Sequence, residues 1–316
     1  MVDNNSFQVP EGEAGGAGRT TPAPGSLSKL LLFTFVLLIT IGSVAQVANF
    51  EVGMLITQWF LILPPALWFL KRYRLDFSSF ARFKGLEARY VPTIIILVMS
   101  AWIVSMFTAG ALIRLLMVYG YEPIELIPPP DTLGQLFTYF LVIALSAGVC
   151  EEVLFRGTIM PSLENQGYFP ALIYSTLFFA FFHGSFVNLA SIFFLGFIIG
   201  VVVIKTGSLL GGILYHILNN ALAVTYLYLA NNYDLESLLM LDDYRVLILI
   251  FLLALVGVFF GLRKLHAQGE GTYIWRDKER WLPRGWLNWA AVIIILLFLI
   301  MASIELLMGF GFLNVV

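Results

Sequence analysis

Residues 133–156 read LGQLFTYFLVIALSAGVCEEVLFR. The run up to Cys150 carries no charge, and a spanning helix needs about 20 mostly apolar residues. It ends in Glu151, Glu152 and Arg156. A charge at the centre of such a span costs roughly 2.5–3.5 kcal/mol on insertion scales, so an ionisable residue there is a candidate for function by default. Glu152 and Arg156 are four residues apart and share one helix face, where they neutralise each other. Glu151 is turned about 100° away and needs a separate partner or a proton. A buried carboxylate of that kind suits a general base.

The whole chain has the same character. Its 316 residues are 59% hydrophobic and 12% charged, with a mean hydropathy of +0.88. A soluble domain is about a quarter charged, so most of this chain belongs in a bilayer. The expected fold class is all-α, a polytopic membrane helix bundle of about 8–9 transmembrane helices. Hydropathy gives nine candidate spans: 28–48, 53–70, 91–118, 133–155, 169–185, 187–204, 208–230, 246–263 and 288–310. The boundary near His183 to Asn188 is the least marked.

Loop charge orients the set. The connection 71–90 carries Lys71, Arg72, Arg74, Arg82, Lys84 and Arg89, and 263–287 carries Arg263, Lys264, Arg276, Lys278, Arg280 and Arg284. The positive-inside rule makes both cytoplasmic. The opposite connections are acidic, with Glu122, Glu125 and Asp131 in one and Asp234, Glu236, Asp242 and Asp243 in another. Nine spans place the N-terminus in the cytoplasm.

Residues 1–26 are polar and rich in Gly and Pro, and read as a disordered cytoplasmic tail, not a signal peptide. The divisions expected after it are 27–130 (three accessory transmembrane helices), 131–232 (a catalytic core) and 233–316 (two C-terminal transmembrane helices with a basic cytoplasmic loop). One cysteine, Cys150, excludes an internal disulfide.

Three histidines are present. His266 falls in the basic loop and carries no signal. His183 ends the run Phe179-Ala180-Phe181-Phe182-His183, and His216 lies in Tyr215-His216-Ile217-Leu218-Asn219-Asn220. A lone histidine on an apolar helix is more often a packing residue. His216 and Asn220, however, share a face at i,i+4 and offer an imidazole beside an amide donor, the kind of group that stabilises an oxyanion. Asn219 lies off that face. Glu151, His183, His216 and Asn220 thus come from three helices, and one hydrated cavity is the economical way to satisfy them all. Carboxylate, imidazoles and amide together suit water activation and carbonyl polarisation, as in peptide hydrolysis.

Other chemistries have less support. There is no Gly-x-Ser-x-Gly elbow and no His-Glu-x-x-His. Cys150 reads as a small buried hydrophobe. Gly196-x-x-x-Gly200 and Gly207-x-x-x-Gly211 read as close helix packing. Pro64-Pro65 reads as a kink, and Pro128-Pro129-Pro130 as a loop on the far side. A different class also fits: a non-catalytic membrane protein, or a proton or ion transporter, using the same Glu/His cluster.

Glu-Glu-x-x-x-Arg (Glu151, Glu152, Arg156), Phe-x-x-x-His (Phe179, His183) and His-x-x-x-Asn (His216, Asn220) occur in that order, each on its own apolar segment. This resembles the CAAX-processing and bacteriocin-processing (CPBP, or Abi) intramembrane proteases, which include the Rce1-type CAAX endopeptidase. The resemblance covers roughly 133–230. It implies that Glu151 activates water with His183 helping to hold it, that His216 and Asn220 stabilise the oxyanion, and that Glu152 and Arg156 orient the site. It implies a peptide or membrane-anchored protein as substrate and the lipid bilayer as setting, with no nucleic acid. No cofactor is required; zinc is possible, and its ligands would be Glu151, His183 and His216. That arrangement would consume the base. The expected location is a multi-pass position in a membrane, the plasma membrane of a prokaryote. The oligomeric state is not legible.

Overall fold

The computed structural model describes residues 22–125, 127–234, 243–269 and 280–313. Most of the expected tail, together with Glu236, Asp242, Arg276 and Lys278, lies outside the described residues. No strand occurs among them.

Nine apolar helices follow one another: α1 Pro24–Ala48, α2 Phe50–Arg72, α3 Ala88–Met117, α4 Leu133–Gln166, α5 Tyr168–Phe182, α6 Leu189–Thr206, α7 Leu209–Asn232, α8 Tyr244–Gln268 and α9 Trp289–Gly309. Eight are long and apolar enough to cross a membrane, and α5 is shorter. The chain is therefore an all-α, multi-pass membrane bundle. Helix α1 begins at Pro24, inside the stretch expected to be tail. Proline at the first helical turn presets φ and lacks an N–H that would go unused there.

The helix ends are tied in a way that fits alternate crossing. On the basic-loop side, Arg82 binds Glu164 at the end of α4. Ser208, before α7, donates to the Lys84 carbonyl at 2.7 Å. Gln268, ending α8, donates to the Arg89 carbonyl at 3.0 Å, and Asn288, before α9, donates to Ser28 of α1 at 2.8 Å. Burial is the largest single influence and works against the Arg82 charge, but the Glu164 carboxylate and Tyr168 together outweigh it and hold the guanidinium above its ordinary value. On the acidic-loop side, Asn231 reaches Asp131 at 2.9 Å. Asn232 reaches the Pro130 carbonyl at 3.1 Å, and Glu122 donates its N–H to the Gly309 carbonyl at 2.7 Å.

The helices are interrupted by π-helical turns at Leu38–Gly42, Thr57–Ile62, Phe140–Leu145 and Phe155–Ile159. At three of them a hydroxyl reaches a backbone carbonyl: Ser43 bonds the Leu38 carbonyl at 3.3 Å, Ser146 the Leu141 carbonyl at 2.8 Å and Thr158 the Val153 carbonyl at 2.9 Å. Such bulges cluster at functional sites. The expected kink at Pro64-Pro65 takes this form, with the π turn Thr57–Ile62 immediately preceding the helical run that carries the prolines. Helices α4 and α7 lie close together because glycines line the contact. A Cβ on Gly148 would sit 2.6 Å from Ile217 Cγ1, and one on Gly212 would sit 3.1 Å from Glu152 Oε2. Gly196 and Gly200 likewise admit Phe179 and Leu172 of α5, as the small-residue spacing suggested. Gly207 plays a different part: at φ 60° it ends α6 in the left-handed conformation.

Candidate active site

The pair at the centre forms as its spacing requires. Arg156 Nη1 donates to Glu152 Oε1 at 2.9 Å, with Glu152 0% and Arg156 1% exposed. The second guanidinium nitrogen donates to the Gly196 carbonyl of α6 at 2.7 Å. The guanidinium also lies over the Phe179 ring of α5, 4.4 Å from its centroid. Gly196 makes this approach possible, since a Cβ there would stand 3.1 Å from Arg156 Nη2 and 2.8 Å from Phe179 Cδ1.

Glu152 does more than neutralise Arg156. Its same oxygen, Oε1, is 2.9 Å from His216 Nδ1. The spacing argument assigned Glu152 wholly to Arg156. Helical spacing fixes the face a carboxylate occupies on its own helix, but not which side chain of α7 arrives opposite. With Nδ1 held by Glu152, the other ring nitrogen of His216 faces Glu151, 4.0 Å from its Oε2. Arg156, Glu152, His216 and Glu151 therefore form one chain of polar contacts.

Glu151 finds its separate partner on α2. Gln58 Nε2 donates to Glu151 Oε1 at 2.8 Å, and Gln58 is 2% exposed. It lies in the π turn Thr57–Ile62. The sequence reading does not single it out, because a neutral amide in an apolar run gives a faint signal. Neighbouring Trp59 donates to Ser146 of α4 at 3.0 Å, which ties α2 to α4 beside the site.

His183 lies just past the end of α5. Its Nδ1 is 2.9 Å from the Phe179 carbonyl. Its ring meets Phe179 edge-on at a centroid distance of 4.9 Å, and His216 meets the same phenyl ring at 5.7 Å. Phe179 thus stands between the histidines and under Arg156. Among the described residues His183 makes no hydrogen bond to Glu151 or His216. Asn220 sits one turn beyond His216, its amide making a long 3.5 Å contact with the Ile143 carbonyl and accepting from Asn219 at 3.2 Å. Asn219 is itself buried, at 8% exposed. Several buried polar atoms here have no protein partner: Gln58 Oε1, Glu152 Oε2, Arg156 Nε and Asn219 Oδ1. Buried polar atoms are rarely orphaned, so a group of them marks a place where a hydrated or polar ligand is accommodated.

A second carboxylate was missed altogether. Glu305 of α9 is 8% exposed. It accepts from Ser185 Oγ at 2.6 Å and from the Val187 N–H at 3.4 Å, with the Phe186 N–H at 2.5 Å. Ser185 in turn accepts from the Asn188 N–H at 3.2 Å. Glu305 therefore pins the turn that begins immediately after His183. Helix α5 has 15 residues, about 22 Å of rise against a hydrocarbon thickness of about 30 Å, so this turn needs buried partners at membrane depth.

Among the described residues no three His, Cys, Asp or Glu side chains are grouped so as to hold one metal ion. His183 is not grouped with Glu151 and His216, so the three ligands that zinc would need are not assembled there. Cys150 is fully buried, and His266 is exposed on α8.

Comparison with known proteins bears on this same stretch. No curated protein and no solved structure matches the chain. A family model described as "Type II CAAX prenyl endopeptidase Rce1-like" matches residues 133–222. All three motifs fall inside that range, as do α4, α5 and α6 in most or all of their length. Over residues 133–222 the chain is thus similar to the Rce1-like CAAX endopeptidase family.

Proposed function

We propose that the chain is an intramembrane endopeptidase that hydrolyses a peptide bond of a membrane-associated protein or peptide. One observation carries the reading. Glu151 is held by Gln58 at one oxygen and turns the other toward His216 Nε2 at 4.0 Å. That gap is too long for a direct hydrogen bond. A water about 2.8 Å from both groups fits off the line between them, which is where a general base holds its nucleophile.

In the proposed reaction Glu151 takes a proton from this water, and the oxygen attacks the scissile carbonyl carbon. The carbonyl oxygen becomes an oxyanion, stabilised by donors from His216 and Asn220. The C–N bond then breaks, and the proton held by Glu151 passes to the leaving amine. Glu152 fixes the orientation of the His216 ring through Nδ1, as a buried carboxylate does for a catalytic histidine. Arg156 pairs with that carboxylate and holds it in place. His183 lines the site across Phe179, on the side where substrate would lie. Basic loops on one face support a cytoplasmic N-terminus and substrate entry from the cytoplasmic leaflet.

The test is cleavage of a peptide library by purified protein, wild type against Glu151→Gln and His183→Ala. Glu151→Gln is expected to lose cleavage by at least about a hundredfold, the usual worth of a general base, and His183→Ala to lower it by a smaller factor. Cleavage that survives Glu151→Gln sinks the mechanism. Proton or ion flux in liposomes that depends on Glu151, with no cleavage, favours the transporter reading instead.

A further inference from the structure

A groove of about 1170 Å³ runs between α1 and the basic end of α2. It lies outside the matched segment and takes in neither Glu151, His183 nor His216. Its floor includes Leu30 and Phe69, both buried. Its walls are Phe33, Phe60 and Trp68, which are 58%, 69% and 63% exposed. Pro64 and Pro65 lie between Phe60 and Trp68 and also line it. At its mouth stand Lys29, Arg72 and Arg74, and no carboxylate lines it. Among the described residues none of these three cations is in a salt bridge. Lys29 only approaches the Trp289 ring, 5.8 Å from its centroid.

The chemistry is that of an amphiphile site. Apolar walls on two membrane helices face hydrocarbon, so acyl chains fill them. Trp68 is four residues before Arg72, about 6 Å along the helix, which sets an interfacial aromatic just below a charged rim. The cavity exceeds the roughly 300–1,000 Å³ of ordinary small-molecule pockets. The walls offer a peptide backbone almost nothing to bond beyond the hydroxyls of Ser26 and Tyr73. Three cations without paired carboxylates favour a negative headgroup.

We propose that this groove binds an anionic phospholipid of the leaflet on the basic-loop side. The headgroup phosphate lies among Lys29, Arg72 and Arg74, and an acyl chain lies along Phe33, Phe60 and Trp68. The proposal is independent of proteolysis.

The experiment uses the full chain in nanodiscs of equimolar phosphatidylcholine and phosphatidylglycerol, then counts retained lipid by native mass spectrometry. Phosphatidylglycerol is expected to be retained in preference. Each Lys or Arg near an anionic headgroup contributes about fivefold, so the triple variant Lys29→Gln/Arg72→Gln/Arg74→Gln should weaken retention about a hundredfold. The pair Arg263→Gln/Lys264→Gln, at the basic end of α8, should leave it unchanged. A photocrosslinking side chain in place of Trp68 should capture phosphatidylglycerol, and less of it at high salt. Equal retention of both lipids overturns the proposal, as does a triple variant that holds phosphatidylglycerol as wild type does. Capture of a peptide at position 68, including the chain's own residues 1–21, overturns it as well.

Discussion

Replacing Glu152 by glutamine tests the logic of the site, because Glu152 Oε1 receives both Arg156 and His216 at 2.9 Å. The substitution keeps the shape and removes the charge. Arg156, at 1% exposed, is left without a counter-ion, and removing one partner of a buried pair costs about 3–5 kcal/mol. That is about a fifth or more of the roughly 5–15 kcal/mol that typically separates folded from unfolded protein. Glu152→Gln should therefore melt well below wild type, as read by intrinsic fluorescence of protein in detergent. The double variant Glu152→Gln/Arg156→Met removes the stranded charge and should recover most of that loss, giving a large coupling energy in a double-mutant cycle. Peptide cleavage should not recover, since His216 still lacks its anion. The equivalent loss in a Ser-His-Asp site is about 10⁴ in kcat. An unchanged melting temperature for Glu152→Gln, or cleavage restored in the double variant, would refute the chain of contacts from Arg156 to Glu151.

Other variants separate positioning from folding. Gln58→Leu removes the donor that holds Glu151 at 2.8 Å; a hydrogen bond to a charged group is worth about 1.5–3 kcal/mol, so cleavage should fall about tenfold or more, measured by initial rates. Gly196→Ala puts a methyl group 2.8 Å from Phe179 Cδ1 and 3.1 Å from Arg156 Nη2, and should destabilise by about 1–3 kcal/mol in thermal unfolding. Glu305→Ala strips the partners from Ser185 and the Val187 N–H and should speed hydrogen exchange in the turn after His183 while lowering cleavage. Arg82→Ala breaks a two-bond pair whose side chains are only 20% and 14% exposed, and thermal unfolding should show a loss of about 1.5–3 kcal/mol.

The helix count was legible because membrane spans announce themselves by length and lack of charge. The bounds differ more: α4 runs on to Gln166, past the expected 155, and α5, with 15 residues, stops at Phe182, where the sequence reading ran on to 185. The turn from Gly184 needs a positive φ of 63°, and Glu305 supplies the bonds that a continued helix would have made internally. The pairing of Glu152 with Arg156 was legible because both lie on one helix, where spacing is geometry. The partners of Glu151 and His216 were not, because they come from other helices. Gln58 is 93 residues from Glu151, and His216 is 64 from Glu152. Glu305 gave no pattern at all, since it binds the backbone of a turn about 120 residues away.

Gln58 and Glu305 both lie outside residues 133–222, one on either flank. The segment with the recurring motifs therefore cannot close its own chemistry. Cut out, it would strand Glu151 without its amide on one side and release the turn behind His183 on the other. A segment that keeps both of these contacts runs from α2 to α9. A truncation built to the limits of the family segment would be expected to fail as an enzyme even if its helices insert.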